Sequence, residues 1–174
     1  MKNKIFKVFI DGGSRGNPGH GACAAVIFDG KDVLIREEGK YLGHCTNNFA
    51  EYNGLVLALA AARHLGASEL KVFSDSELLV RQFSGEYKVK DPTLKVLMAE
   101  IRKKSAAFKR VTLSHVRREA NSHADRLVNV ILDNAGTKTA PGLAPHFFRS
   151  GQSAGLARSV AKENAQKLHQ PRLF

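Results

Sequence analysis

Four acidic residues stand at the borders of secondary-structure elements: Asp11 after the strand-like "KVFI", Glu51 in "NNFAEYNGLVLAL", Asp75 after "LKVFS" and Asp125 in "NSHADRLVN". Ionised carboxylates only accept, and oxygen acceptors are the ligands that hard cations such as Mg²⁺ take. Such a set needs no histidine or cysteine, because waters and a substrate phosphate complete the coordination shell. Two ions held about 3.5–4 Å apart activate a water and stabilise the leaving oxygen of an in-line displacement at phosphorus. The chemistry open to these four residues is phosphodiester hydrolysis.

Taken singly, each acid also has a plainer structural account. Asp11 precedes Gly12-Gly13 and suits a turn. Asn48 to Glu51 and Ser122 to Asp125 both have capping-box spacing, and Asp75 can cap the helix that follows it. Joint placement changes the balance. Strand ends of an open α/β sheet collect on one rim, where ligands bind, and four like charges gathered there repel one another unless a cation neutralises them.

The elements that must carry these acids are legible as changes of period. "KIFKVFI" is a strand ending at Asp11, and "GACAAVIFDGKDVLIREEGKYLGHC" supplies two more with a turn at Asp29-Gly30. "NNFAEYNGLVLALAAARHLG" opens on Asn caps, puts Glu51 in its first turn, is apolar nearly all round and stops at Gly66, which predicts a buried helix. "ELKVFSD" is a fourth strand, and a short helix capped by Asp75 or Ser76 follows it. Asp91-Pro92 starts a helix along which Leu94, Leu97, Met98, Ile101 and Phe108 recur as core contacts, and "RVTLSHVRR" is a fifth strand. The last helix starts near Asn121 or Ser122 and carries the stripe Ala124, Leu127, Val128, Ile131 and Leu132. The order βββαβααβα implies a mixed sheet covered by helices. A boundary falls at Gly136: residues 1–136 form the domain, and residues 137–174 read as a Pro/Gly/Ser/Ala-rich linker and basic tail, with a weakly patterned helix over 153–168.

With 174 residues, 43% of them hydrophobic, the chain can bury an ordinary core without disulfides. Cys23 and Cys45 form neither a disulfide framework nor a zinc pattern, which fits a reducing compartment. Neither a signal peptide nor a membrane-length apolar run is present, so a cytosolic protein is expected, with no membrane and no obligatory protein partner. A formal charge of +11 favours phosphate-rich partners. Residues 137–174 contribute heavily, with six basic residues against one acidic.

The blocks "DGGSRGNPG", "TNNFAEYNGLVLAL", "VFSDSELLVRQFSGEYKVKDPTL" and "HVRREANSHADRLVN", in this order and at these separations, resemble the motifs of ribonuclease H, type 1, in its short form without the basic protrusion. The resemblance spans residues 5 to about 135. It implies a ribonuclease H-like α/β fold with a five-stranded mixed sheet whose middle strands are parallel. It also implies an endonuclease that cuts the RNA strand of RNA-DNA hybrids with Mg²⁺ or Mn²⁺, two ions per site, leaving 3′-hydroxyl and 5′-phosphate ends. On that resemblance the metal-binding catalytic carboxylates are Asp11, Glu51, Asp75 and Asp125.

Asn17 and Asn48 match family residues that meet the minor groove, where 2′-hydroxyls mark RNA; a turn Asn and a helix cap are their structural accounts. "HVRREANSHAD" is too short for the family's histidine loop, so Arg118, holding a phosphate, or His123 is expected in its place. His115, inside a strand, reads as structural. Lys88, Lys90 and Lys95 are either phosphate contacts or a solvated face. The tail either adds basic contact for substrate or packs on the domain through Phe147 and Phe148. Two other functions suit the same fold: a hybrid-binding module without turnover, which four retained acids argue against, and a nuclease acting on DNA, against which the Asn-bearing blocks argue.

Overall fold

A computed structural model of the chain describes residues 4–137 and 146–150. Three strands, β1 (Ile5–Gly16), β2 (Gly19–Phe28) and β3 (Leu34–Cys45), form an antiparallel meander. Helix α1 (Asn47–His64), strand β4 (Glu69–Ser74), helices α2 (Glu77–Ser84) and α3 (Pro92–Ser105), strand β5 (Arg110–His115) and, after a short 3₁₀ turn at Arg118–Asn121, helix α4 (Ser122–Thr137) follow. Strands β4 and β5 join β1 in parallel, so the five expected strands form one mixed sheet. A sixth strand, β6 (His146–Ser150), pairs antiparallel with β3 and gives the order β5-β4-β1-β2-β3-β6. The sequence reading placed a linker there. The rest of 137–174, including the weak helix expected over 153–168, lies outside the described residues.

Side chains alternate across the sheet and pack two cores, as a sheet buried on both faces requires. On one face Phe6, Val8, Ile10, Cys23, Ala25 and Ile27 meet α1, α2 and α3. On the other, Phe9, Ala22, Ala24, Val26 and Phe28 meet the expected α4 stripe of Ala124, Leu127, Val128, Ile131 and Leu132. Helix α1 is buried along most of its length, as its apolar middle predicts, with Leu55 and Ala58 wholly inaccessible. Truncating a residue such as Leu55 to Ala removes about 2–5 kcal/mol of stability.

Two local readings are corrected, and a third is narrowed to one of its two alternatives. Asp11 does not end β1: the strand runs on through the glycines, pairing Asp11 with Ala24 and Gly16 with Gly19, and the chain turns at Asn17-Pro18 across a cis peptide bond. Glycine here serves close approach and not a loose corner. The cap of α1 is Thr46, whose hydroxyl accepts from the Phe49 amide, so the Asn48 cap and its capping box with Glu51 do not form and Glu51 lies beyond the first turn. The cap of α2 is Ser76, accepting from the Leu79 amide, which leaves Asp75 available for other work. The Asp91 cap of α3, with Pro92 at its first position, forms as expected, but the helix ends at Ser105, so Phe108 reaches the core from the turn that follows and not from the helix.

Candidate active site

Strand β1 outruns its parallel neighbour. The ladder between β1 and β4 ends at Phe9 opposite Phe73, so Asp11 and Asp75, each two residues further on, flank the opening between the two strands. A crevice at the carboxyl ends of parallel strands is where an open α/β sheet binds its ligands.

Glu51 enters this crevice because a glycine lets its helix in. A Cβ at Gly12 would overlap the backbone carbonyl of Ala50 and the amide nitrogen of Glu51, and one at Gly54 would stand 3.0 Å from the Asp11 carbonyl oxygen. Two glycines, one on each element, thus bring the α1 and β1 backbones together. The result is a triad: Asp11, Glu51 and Asp75 each offer a carboxylate oxygen within 4.8 Å of the others.

Burial and crowding dominate the electrostatics. Asp11, 7% exposed, is pushed up to about 7, first by desolvation and then by the charges of Asp75 and Asp125; the Gly12 amide and Arg118 oppose this. Glu51 is pushed up to about 9 by desolvation, then by Asp11 and Asp75, with Arg118 opposing. Its Oε2 is buried and has no hydrogen-bond partner among the described residues. A buried carboxylate oxygen without a donor is costly, and clustered acids held apart from water are the setting that a divalent cation relieves. The residues therefore fit a hard cation bound through oxygen.

Asp125 stands at the edge of the triad and not within it. Its charge reaches Asp11, but its own oxygens are engaged: Arg118 donates to Oδ1 at 3.0 Å and Asn129 to Oδ2 at 3.3 Å. The Arg118 side chain remains 77% exposed, and its guanidinium is held charged chiefly by that hydrogen bond to Asp125. His123 is placed differently. It pairs with Glu37 on β3 and lies edge-on to Phe28, whereas Arg118 pairs with Asp125. His115, exposed at the end of β5, pairs in the ladder with Ser74.

Asn17 and Asn48 lie exposed at the mouth of the β1–β2 hairpin and at the start of α1. Asn17 Oδ1 accepts from the Asn47 amide at 3.1 Å, and Asn47 Oδ1 accepts from the Ser14 amide and hydroxyl, both at 2.8 Å, which ties the hairpin to the helix. Lys88, Lys90 and Lys95 are exposed around the start of α3. Two polar residues escaped the sequence reading. Asn47 is one. Asn121 is the other: fully buried, it donates from Nδ2 to the Ile10 carbonyl at 2.9 Å and to Asp75 Oδ1 at 3.0 Å. Its position four residues before Asp125 is the available signal, which local pattern alone assigns to a helix start.

The family described as reverse transcriptase-like matches residues 9–131. The "Bifunctional protein Rv2228c" of Mycobacterium tuberculosis is 41% identical over 136 residues, covering 78% of this chain and 37% of the relative. "Ribonuclease HI" of Halobacterium salinarum is 37% identical over 127 residues, covering 73% of this chain and 64% of that protein. The chain thus spans less than two thirds of these relatives' own lengths. Among solved structures, LC11-RNase H1, crystallised with an RNA/DNA hybrid, superposes with a TM-score of 0.72 at 41% identity over 75% of this chain and 98% of that one. No helix among the described residues is long and apolar enough to cross a membrane.

Proposed function

The chain belongs to the ribonuclease H family, and we propose from that premise that it hydrolyses the RNA strand of RNA-DNA hybrids endonucleolytically, leaving 3′-hydroxyl and 5′-phosphate ends. The observation that carries this reading is the convergence of Asp11, Glu51 and Asp75 within 4.8 Å at a sheet rim. Asp11, Glu51 and Asp75 hold divalent ions, Mg²⁺ or Mn²⁺, with Asp125 at their edge. Bound there, such ions would supply an activated water and charge stabilisation for the leaving oxygen.

The protein's own groups set the geometry. Strand β1 and helix α1, locked at Gly12, fix two of the carboxylates relative to each other. Arg118 keeps Asp125 in place through Oδ1 and leaves an exposed guanidinium free to turn toward a substrate phosphate. Asn17 and Asn48 face solvent where a minor groove with its 2′-hydroxyls would pass, so they discriminate RNA from DNA. Residues 1–136 act as the catalytic unit and the basic residues 137–174 as an extension that adds salt-dependent attraction for the hybrid. The free thiols Cys23 and Cys45 suit the cytoplasm, and burial pushes the Cys23 thiol up to about 12, keeping it protonated and unreactive.

An end-labelled hybrid incubated with the protein, with and without Mg²⁺ or Mn²⁺, beside Asp75→Asn, tests the reading. Cutting confined to the RNA strand, stopped by chelator and by the substitution, is the expected result. Equal cutting of duplex DNA would mark a DNA nuclease on this fold, and tight binding without products a binding module.

A further inference from the structure

We propose that Asn121 is a positioning residue for the candidate site: through one side-chain amide it anchors the Asp75 carboxylate to the β1 backbone and so decides which Asp75 oxygen is left to face a cation. This inference rests on the reading of the acidic triad as a cation site.

Three observations carry it. The Asn121 side chain has no solvent exposure, so its hydrogen bonds compete with no water. Its Nδ2 spends both protons on groups of different elements: the carbonyl of Ile10, the residue just before Asp11, and Oδ1 of Asp75, just past β4. With Oδ1 occupied, the other oxygen of Asp75 is the one left to a ligand. The β1–β4 ladder stops at Phe9 and Phe73, so no backbone pairing holds the Asp11 segment against the Asp75 segment; the Asn121 amide bridges them where the sheet opens. The third observation is that Oδ1 of Asn121 is buried without a hydrogen-bond partner among the described residues. The two protein contacts of this side chain are thus both made by its donor nitrogen. The donor end is what the site uses.

The amide is chemically suited to this task. It is neutral at every physiological pH, so it adds no charge to an acidic rim that a cation must enter, whereas a Lys or Arg there would compete with the ion. It donates two bonds from one nitrogen, which a hydroxyl cannot do. Partners that orient a ligand from behind in this way change metal affinity or activity by roughly 10–100-fold when removed.

The test uses the full chain and Asn121→Leu, which keeps the side chain's approximate volume and deletes the donor, with Asp75→Asn as the control for the site itself. Mg²⁺ affinity is read by calorimetry on protein free of substrate, and kcat and KM are measured separately on the hybrid. The expected result is a folded Asn121→Leu protein whose Mg²⁺ affinity and kcat fall by roughly 10–100-fold while KM for the hybrid stays within about twofold. The side-chain amide resonances of Asn121 in ¹⁵N-labelled wild-type protein give an independent signature, expected to shift on Mg²⁺ saturation and to move in Asp75→Asn without metal. Should Asn121→Leu fail to fold, these resonances decide: shifts support the proposal, and unmoved resonances overturn it. A folded Asn121→Leu protein with wild-type Mg²⁺ affinity and kcat overturns the inference and leaves the proposed function standing. Wild-type protein that neither binds Mg²⁺ nor cuts hybrid overturns both.

Discussion

The two halves of the acidic rim are held by opposite means. On the β1–α1 side, Asp11 and Glu51 sit where backbones meet at Gly12 and Gly54, and desolvation raises their pKa values to about 7 and about 9. On the β4–α4 side each acid has protein donors: Asn121 for Asp75, and Arg118 and Asn129 for Asp125. In the first half desolvation outweighs the opposing Gly12 amide and Arg118 charge; in the second each acid accepts from side-chain donors. Demand for a cation is therefore concentrated on β1 and α1, while the β4–α4 half supplies orientation.

The sharpest way to break this contrast is to neutralise one acid on each side. Asp11→Asn should lower RNA cleavage by roughly 10²–10³-fold or more, because charge aimed at the reacting phosphate is lost. In the absence of metal it should nonetheless raise the melting temperature above neutral pH, since a desolvated, repelled charge is gone. Asp125→Asn should also impair cleavage but leave metal-free stability the same or lower, because it gives up the Arg118 pair. Thermal melts of both variants in chelator check this; a destabilised Asp11→Asn would end the comparison.

Titration sharpens the same point. Native Asp11 and Glu51 keep their protons to about pH 7 and about pH 9, whereas the unfolded chain releases them near 3.8 and 4.5. Between those limits the native state binds more protons than the unfolded one, so stability falls as pH rises. The metal-free protein should thus lose stability progressively between about pH 4 and about pH 9. Denaturant unfolding across that range, repeated with excess Mg²⁺, should show the decline flattened by the ion.

A smaller effect is expected at the joint of the first half. Gly12→Ala forces α1 off β1 and should cost about 1–3 kcal/mol, or a few degrees of melting temperature at about 2–4 °C per kcal/mol. Cleavage should fall with it as Glu51 is displaced. Gly13→Ala is the matched control, since a Cβ there would meet only Val128 Cγ1 at an ordinary 3.6 Å. Smallest of all, Arg118→Gln on the second half should change stability by less than about 1 kcal/mol, as exposed pairs do. Hybrid affinity measured at several salt concentrations should weaken, with the salt slope reduced by about one if Arg118 meets a phosphate.

The element order, the buried helix α1 and the α4 stripe were legible because long apolar periodicities dominate those segments. Asp11, Glu51 and Asp75 could be put on one rim because the pattern sets each near the same end of the sheet, although β1 runs on past Asp11 and Glu51 lies beyond the first turn of α1. Finer placement was not legible. "DGGSRG" carries turn-forming residues, so its strand conformation depends on pairing with β2 and on α1 pressing against Gly12, neither of which a local window contains. Thr46, Asn47 and Asn48 are all good caps, and only packing chooses Thr46. Asn121 looked like another helix start because its two acceptors, at Ile10 and Asp75, are distant in sequence. Strand β6 sits within Pro- and Gly-rich sequence, and its pairing with Arg36–Lys40 crosses more than a hundred residues.

That pairing bears on how the molecule behaves in company. With β6 alongside β3, the sheet's other open border is β5, six residues long with exposed Arg110 and His115 at its ends, a poor template for strand addition by a second copy. Strand β3 is twice as long, and β6 covers only Arg36–Lys40 of it. Among the described residues, β6 thus gives backbone partners to a stretch of β3 that would otherwise be an unpaired sheet edge.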